Sequence, residues 1–258
     1  DKLSAIAGLR YENIVQGIQW RTQLDASGRT NTLDQNSCLP SLVMKYEINN
    51  RQNLRFAASK TYTLPQFKER ALFLYEDVTQ TKYGNPFLTA SDNYNVDLKW
   101  ELFPSRGEIL SLATFGKYIQ NPINEVVIAS STNDISWING DYGYVVGAEI
   151  EARKNIFNFG EEGKNPLSAG LNASYMNTEQ EFDAEKVQRE TNGMYNLNLT
   201  TPKERLTGAS DFLLNADVSY VKAWNNDAEV MATLVYAYYS DRIYAYNNEQ
   251  KGNLIDKG

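Results

Sequence analysis

Histidine is absent from the 258 residues of this chain, and cysteine occurs once, as Cys38. Without histidine there can be no Ser-His or Cys-His nucleophile system, no imidazole acid/base chemistry and no histidine-ligated zinc. A single cysteine allows neither an internal disulfide nor a multi-cysteine metal cluster, and Cys38 reads as a small residue at the start of a strand. Long hydrophobic runs are missing as well. No window of about 18 apolar residues exists, so no membrane-spanning helix is expected. Basic residues are outnumbered, 25 against 32 acids, and the net charge of −7 argues against nucleic acid as a partner. Nor does a cleavable signal open the chain: Asp1-Lys2-Leu3 leads directly into an alternating strand, the pattern expected of a piece processed or trimmed from something longer.

What is abundant is aromatic: 17 Tyr, 10 Phe and 4 Trp, with Gly, Asn, Ser and Thr punctuating the apolar runs. That usage favours many strands over helices. The clearest stretch is Pro40 to Phe67. Leu42, Met44, Tyr46 and Ile48 alternate with Ser41, Val43, Lys45 and Glu47, the period of a strand with two different faces. Asn49 to Asn53 are turn formers, and alternation resumes at Leu54, Phe56 and Ala58 to complete a hairpin.

The remaining strands follow in order. A first strand alternates Leu3, Ala5, Ala7, Leu9 and Tyr11 with Ser4, Ile6, Gly8, Arg10 and Glu12, and a long polar segment from Gln16 to Cys38 separates it from the hairpin. After a second long segment, Gln66 to about Asp92, the fourth strand sets Tyr94, Val96, Leu98, Trp100 and Leu102 against Asn95, Asp97, Lys99 and Glu101, and ends at Pro104-Ser105-Arg106-Gly107. The fifth, Glu108 to about Tyr118, carries apolar residues on both faces and cannot be oriented from its pattern. Beyond the segment from Asn121 to Tyr142, the sixth strand sets Tyr144, Val146, Ala148, Ile150 and Ala152 against Gly147, Glu149, Glu151 and Arg153. A medium connection, Lys154 to Pro166, leads to the seventh strand, Leu167 to Tyr175. The longest irregular stretch, Asn177 to Asp211, precedes the eighth, Phe212 to Tyr220. A short turn at Trp224 to Ala228 opens the ninth, Glu229 to about Tyr246, and a polar tail ends the chain.

Two regularities decide the architecture. Connections run long, short, long, short, long, medium, long, short, which in a meander gathers the long loops at one end of the sheet and the tight turns at the other. Strands of about ten residues at roughly 3.3 Å each, tilted near 40°, span about 25 Å of hydrocarbon. The expected fold is therefore all-β: an antiparallel up-and-down meander of about nine strands, a portion of a transmembrane β-barrel. Tyr46, Trp100, Tyr144, Tyr175 and Tyr220 would form its aromatic girdle. A soluble β-sandwich, as in a carbohydrate-binding or adhesion module, also alternates, but its strands are usually nearer five or six residues. Lys60 is the misfit on the apolar series; a bulge or a side chain snorkelling to the interface would accommodate it.

Several segments, in order and spacing, carry a resemblance over nearly the whole chain. They are Leu39-Pro40-Ser41-Leu42 through Lys45-Tyr46-Glu47, Asn53 to Thr61, Leu64-Pro65-Gln66-Phe67-Lys68-Glu69, Gly84-Asn85-Pro86, Asn93 to Leu98, Gln120-Asn121-Pro122-Ile123, Gly147 to Glu151, and Ser240-Asp241-Arg242-Ile243-Tyr244. Through them the chain resembles the C-terminal part of the barrel of TonB-dependent outer-membrane receptors, the type common in Bacteroides and its relatives. The resemblance implies a barrel of about 22 strands holding an N-terminal plug, and a TonB box coupling it to the inner membrane. Plug, TonB box and terminal strand are not among these residues, so residues 1–258 are expected to be a partial barrel domain. The implied function is active uptake of a large nutrient, a siderophore, glycan or similar, through the outer membrane. The implied partners are outer-membrane lipid, TonB through the N-terminal region, the nutrient at the extracellular loops and, in glycan importers, a surface lipoprotein.

The chemistry so implied is recognition, and no catalytic, cofactor-binding or metal residue is assigned. Loops Gln66–Asp92 and Asn177–Asp211 hold Tyr, Phe, Asn and acids suited to stacking on sugars or chelates. Glu149 and Glu151, two apart on a strand, share a face at roughly 7 Å, a glycosidase-like spacing, but a hydrated lumen with basic partners such as Arg153 accounts for them more simply. Asn133-Asp134 offer too few oxygens for a Ca²⁺ site. The sequons at Asn172 and Asn198 are uninformative in a bacterial strand protein.

Overall fold

The structure, a computed structural model, describes residues 2–22, 25–76, 81–128, 134–159, 165–197, 202–224, 228–247 and 252–258. In chain order the elements are β1 (Leu3–Thr22), β2 (Asp25–Asn49), β3 (Gln52–Thr63), a one-turn helix α1 (Phe67–Arg70), β4 (Leu74–Glu76), β5 (Thr81–Tyr83), β6 (Ser91–Leu102) and β7 (Ile109–Gln120). Then come β8 (Ile123–Val127), β9 (Ile135–Asn139), β10 (Tyr142–Phe159), β11 (Asn165–Glu181), α2 (Ala184–Glu190), β12 (Lys203–Glu204), β13 (Phe212–Ala223), β14 (Glu229–Tyr239), β15 (Arg242–Ala245) and β16 (Leu254–Asp256).

One antiparallel sheet runs β1-β2-β3-β6-β7-β10-β11-β13-β14, the nine-stranded meander expected, with β12 paired to β11. Its register explains which face is which. Tyr46, Leu54 and Trp100 lie opposite one another across β2, β3 and β6, as do Met44, Phe56 and Leu98. The row continues from Leu98 to Thr114, Ala148 and Tyr175 through β7, β10 and β11. Because side chains alternate with period 2 and cross-strand partners share a face, this orients β7: Leu110, Leu112, Thr114, Gly116 and Tyr118 join the apolar series. Its pattern is ambiguous in the sequence because Phe115 and Ile119, though apolar, belong to the other face.

The apolar series is left uncovered. Val96, Leu98, Val146, Val218 and Leu234 all remain well exposed, and no second sheet among the described residues closes over them, so the sandwich alternative fails on its defining feature. The aromatic residues fall into two belts. Tyr144 and Tyr175 lie toward the long-loop ends of their strands, where Tyr94, Tyr118 and Tyr142 cluster at 6.3 and 6.2 Å. Tyr46, Trp100 and Tyr220 lie toward the tight-turn ends, where Phe159 approaches Phe157 at 6.1 Å and Tyr220 at 6.0 Å. Lys60 pairs with Tyr94 in unbroken register, so there is no bulge at this position. Its ammonium reaches Asp92 at 2.9 Å, which is the snorkelling solution.

Elsewhere the structure corrects the expected boundaries. Gln16 to Cys38 is not irregular: β1 and β2 pair continuously from Leu3↔Tyr46 to Trp20↔Arg29, so Cys38 sits inside a strand, opposite Tyr11. The hairpin stands beyond the apolar band, where neither face needs to be greasy, and so its polar residues show no period. Ile18 and Trp20 at its top are nevertheless buried. The medium connection shrinks, since β10 continues to Phe159 and β11 begins at Asn165. The ninth strand stops at Tyr239, and the polar tail returns as β16 to pair with β15. Trp224 N donates to Ala228 O at 2.9 Å across the expected turn, whose Asn225, Asn226 and Asp227 lie outside the described residues.

The long connections fold into a cap with its own core. Segments 66–92 and 121–142 contribute a four-stranded sheet, β4-β5-β9-β8. Asn177–Asp211 supplies the rest of β11, then α2, capped by Asp183, whose carboxylate accepts from Glu185 N and Lys186 N. Val126, Ile138, Phe182, Val187, Tyr195, Ile243 and Tyr246 form one buried cluster. Among the described residues the hydrophobic core therefore lies in the long connections and the segment after β14, while the main sheet is a single layer.

Candidate functional site

Between the cap and the sheet lies a cleft of about 430 Å³, lined by residues including Thr63, Gln66, Glu69, Glu125, Trp137 and Tyr244. A second hollow of about 280 Å³, which adds Asn93 and Ile119, shares Thr63, Ile123, Thr207 and Gly208 with it. Thr63, Asn93 and Ile119 belong to the series opposite the apolar one, so the cleft opens onto the polar face of the sheet.

Against two of its lining residues, Lys82 of β5 donates to Glu125 Oε2 of β8 at 2.8 Å and to the Tyr244 hydroxyl of β15 at 2.5 Å. Its ammonium also lies 5.7 Å from the centroid of the Trp137 ring and 4.9 Å from that of Tyr244, a cation held between two π faces. Burial pulls the lysine's pKa down, but the hydrogen bonds and charges of Glu125 and Tyr244 outweigh it, and the net shift is upward. Beside this group, Arg242 forks onto Asp256 at 2.9 and 2.6 Å. Both cations are neutralised by a carboxylate, which leaves aromatic surface and hydroxyl groups as the features the cleft offers.

Supports behind the cleft are buried hydrogen-bond networks. Asn124 and Gln180 exchange amide hydrogen bonds at 2.8 and 3.0 Å, and Gln180 also donates to the Tyr246 hydroxyl, which donates to Arg205 O. Burial pushes the Tyr246 pKa upward. Asn139 donates to the carbonyls of Thr89 and Asn121 at 3.1 and 3.0 Å, closing the connections before β6 and after β7 onto each other. On the far side Arg70 of α1 is almost wholly buried, donating to Gln16 O at 2.9 Å and Gln16 Oε1 at 2.7 Å in the upper hairpin.

Two of the loop aromatics expected to meet a ligand are used otherwise. Phe182 and Tyr195 of Asn177–Asp211 are buried in the cap core. The rings at the cleft come instead from Tyr244, which is partly exposed, and from Trp137, which is nearly buried behind it. From Gln66–Asp92, Gln66 and Glu69 line the cleft, while Phe67 and Phe73 are exposed away from its lining. No local signal marks Lys82, Glu125, Trp137 and Tyr244, because three connections contribute them one or two at a time.

Glu149 and Glu151 lie on the polar face, as their alternation required. Glu151 accepts from Lys99 at 3.3 Å and from Ser111 at 3.4 Å, and Lys99 also faces Glu101 at 3.9 Å, which holds Arg55 at 2.7 Å. The basic partner is thus Lys99 of β6, which reaches Glu151 across the intervening β7. Asp134 is buried, its neighbour Asn133 lies outside the described residues, and among those described no three acids, cysteines or histidines converge on a metal position. Asn172 is on β11, and the Asn198 sequon lies outside the described residues.

An apolar outward face between two aromatic belts, a charged inward face and a folded cap over the inward side define the wall of an outer-membrane β-barrel receptor. The chain belongs to the family described as TonB dependent receptor-like, beta-barrel, which matches residues 1–255. Among solved structures it is similar to the ferric yersiniabactin uptake receptor FyuA from Yersinia pestis, with 13% identity and a TM-score of 0.61 over 98% of this chain and 34% of that one. It is also similar to the Serratia marcescens hemophore receptor HasR, solved with its hemophore HasA and heme (15%, 0.60, 93% and 42%). A third is the FrpB iron transporter from Neisseria meningitidis (12%, 0.57, 100% and 35%). At such identities the likeness is one of fold, and the chain spans between 34% and 42% of these three structures' lengths. No curated protein matches it. The family is one of outer-membrane transport receptors, and among the described residues no helix is long and apolar enough to cross a membrane.

Proposed function

We propose that this chain forms part of the wall and of the outer cap of a TonB-dependent importer in the Gram-negative outer membrane, taking up a large, scarce nutrient such as a siderophore or glycan. In this reading residues 1–258 are a partial barrel domain, the plug and TonB box belong to other parts of the protein, and TonB supplies the energy. The type, that of Bacteroides and its relatives, rests on the segments from Leu39 to Tyr244 that carry the resemblance. Lipid surrounds the apolar series, and a surface lipoprotein is the natural additional partner if the nutrient is a glycan.

The observation that supports this reading most is the cleft beneath the cap, which opens toward the polar face and carries Trp137 and Tyr244 beside the Lys82–Glu125 pair. Aromatic surface with neighbouring hydroxyls and neutralised charges suits a ligand that stacks and accepts hydrogen bonds. No bond-making residue is needed, so the carboxylates of the lumen are partners for cations. The test is ligand uptake by cells carrying the intact receptor. Tyr244→Ala should raise the half-saturating ligand concentration about tenfold, the loss expected of one stacking contact, while Glu149→Gln leaves uptake unchanged. Unaltered uptake in Tyr244→Ala would remove the cleft from the ligand's path.

A further inference from the structure

Lys60 stands among outward apolar residues, where a charge is costly in hydrocarbon unless something there makes use of it. Along that face Ala58 lies between Leu42 of β2 and Val96 of β6. One row nearer the long loops, Lys60 lies beside Tyr94 of β6, and Pro40 of β2 borders the same hollow. The small Ala58 side chain leaves a furrow of about 360 Å³, lined by residues including Pro40, Leu42, Ala58, Lys60, Tyr94 and Val96. Lys60 closes its upper end, the ammonium 2.9 Å from Asp92 and 5.3 Å from the Tyr94 ring centroid. An ammonium has three N–H donors; Asp92 takes one and the Tyr94 hydroxyl a second, which leaves one for a further acceptor.

We propose that this furrow is a specific lipid site: an acyl chain lies over Ala58, and the phosphate of the same lipid's headgroup accepts from Lys60. The two halves fit the chemistry of one molecule. The furrow is mostly apolar along its length, its cation stands at the end nearer the long loops, and Tyr94 places that end in the aromatic belt, at headgroup depth. Snorkelling alone would account for Lys60 but not for a furrow that ends at it.

The test is native mass spectrometry of the intact receptor, exchanged in detergent into phosphatidylglycerol or into diacylglycerol with the same chains. Retention of a phosphatidylglycerol molecule is expected, not displaced by inorganic phosphate, with little retention of diacylglycerol. Lys60→Gln should retain about tenfold less, the loss of one charge-assisted hydrogen bond, and Lys60→Arg should retain it. Ala58→Phe fills the furrow while leaving the lysine's charge in place and should also abolish retention, so the proposal is tested even if Lys60→Gln fails to fold. Heat-modifiable migration of each variant reports that its barrel is intact. Equal retention of the two lipids, or undiminished retention in a folded Lys60→Gln or Ala58→Phe variant, would overturn the proposal.

Discussion

Leu98 and Val43 are each 45% exposed, yet they stand on opposite faces of the sheet. Leu98 lies outward between Phe56 and Thr114, and Val43 lies inward opposite Ala57, whose β6 partner is Asp97, the residue next to Leu98. The two positions are therefore at nearly the same height. In a water-soluble protein of equal exposure, replacing either by Arg would cost about the same, within roughly 0.5 kcal/mol. In a bilayer they part company. Leu98 lies between Tyr94 and Trp100, near the middle of the apolar band, where an outward Arg costs about 2–4 kcal/mol. An Arg at position 43 enters a wet interior already lined by Lys45, Glu47 and Asp97, and should cost no more than about 0.5 kcal/mol. The predicted gap of at least about 1.5 kcal/mol is roughly tenfold in the folding constant. Denaturant unfolding of the intact barrel in lipid vesicles, followed by tryptophan fluorescence, measures it. Equal costs would refute the membrane reading, and a costlier Val43→Arg would reverse the two faces.

Other expectations follow from the cap and the inward face. Lys82→Ala removes a partly exposed ion pair and two cation–π contacts, and should loosen the cap by about 1 kcal/mol, seen as faster proteolysis of the loops with the sheet intact. Gln180→Leu removes the two hydrogen bonds exchanged with the buried Asn124, which keeps Pro122 O and the Thr207 hydroxyl as partners, and should cost about 1–3 kcal/mol; no change in thermal unfolding would refute the network described. In Gly147→Ala the new Cβ would meet the Phe115 ring at 2.3 Å and Tyr175 O at 2.7 Å, so a loss of about 1–3 kcal/mol is expected, measured as a lower denaturation midpoint. Both Lys82 and Tyr246 have folded pKa values raised above their ordinary 10.5 and 10.0. Each favours its protonated form in the folded state, so their contributions are whole below those ordinary values and fade as pH rises beyond them. Protease susceptibility of the cap should therefore climb above about pH 10; a flat profile to about pH 12 would contradict it.

The sheet is legible in the sequence because a strand between lipid and water must alternate. Tyr94 to Leu102 and Tyr144 to Ala152 are each sorted residue by residue, and the register joins them without a slip. The upper halves of β1 and β2 are not legible for the same reason: clear of the membrane, Thr30 to Ser37 have no face to keep apolar. The cap is hidden for a different reason. β8 and β9 are five residues each, too short to show a period, and β9 is buried throughout, so it has no polar face to alternate with. The cleft's Lys82, Glu125, Trp137 and Tyr244 are brought together by that cap, and their meeting could not be read before its fold was known.

Tyr246 packs edge-on against Phe182 at 4.9 Å, and the cluster around it draws on residues from two connections and from the segment after β14. These outer segments consequently share a single stability, and loosening one exposes the greasy side of the others. Grafting any one of them onto another member of the family would carry over its letters without its shape, so these segments can be exchanged only as one canopy.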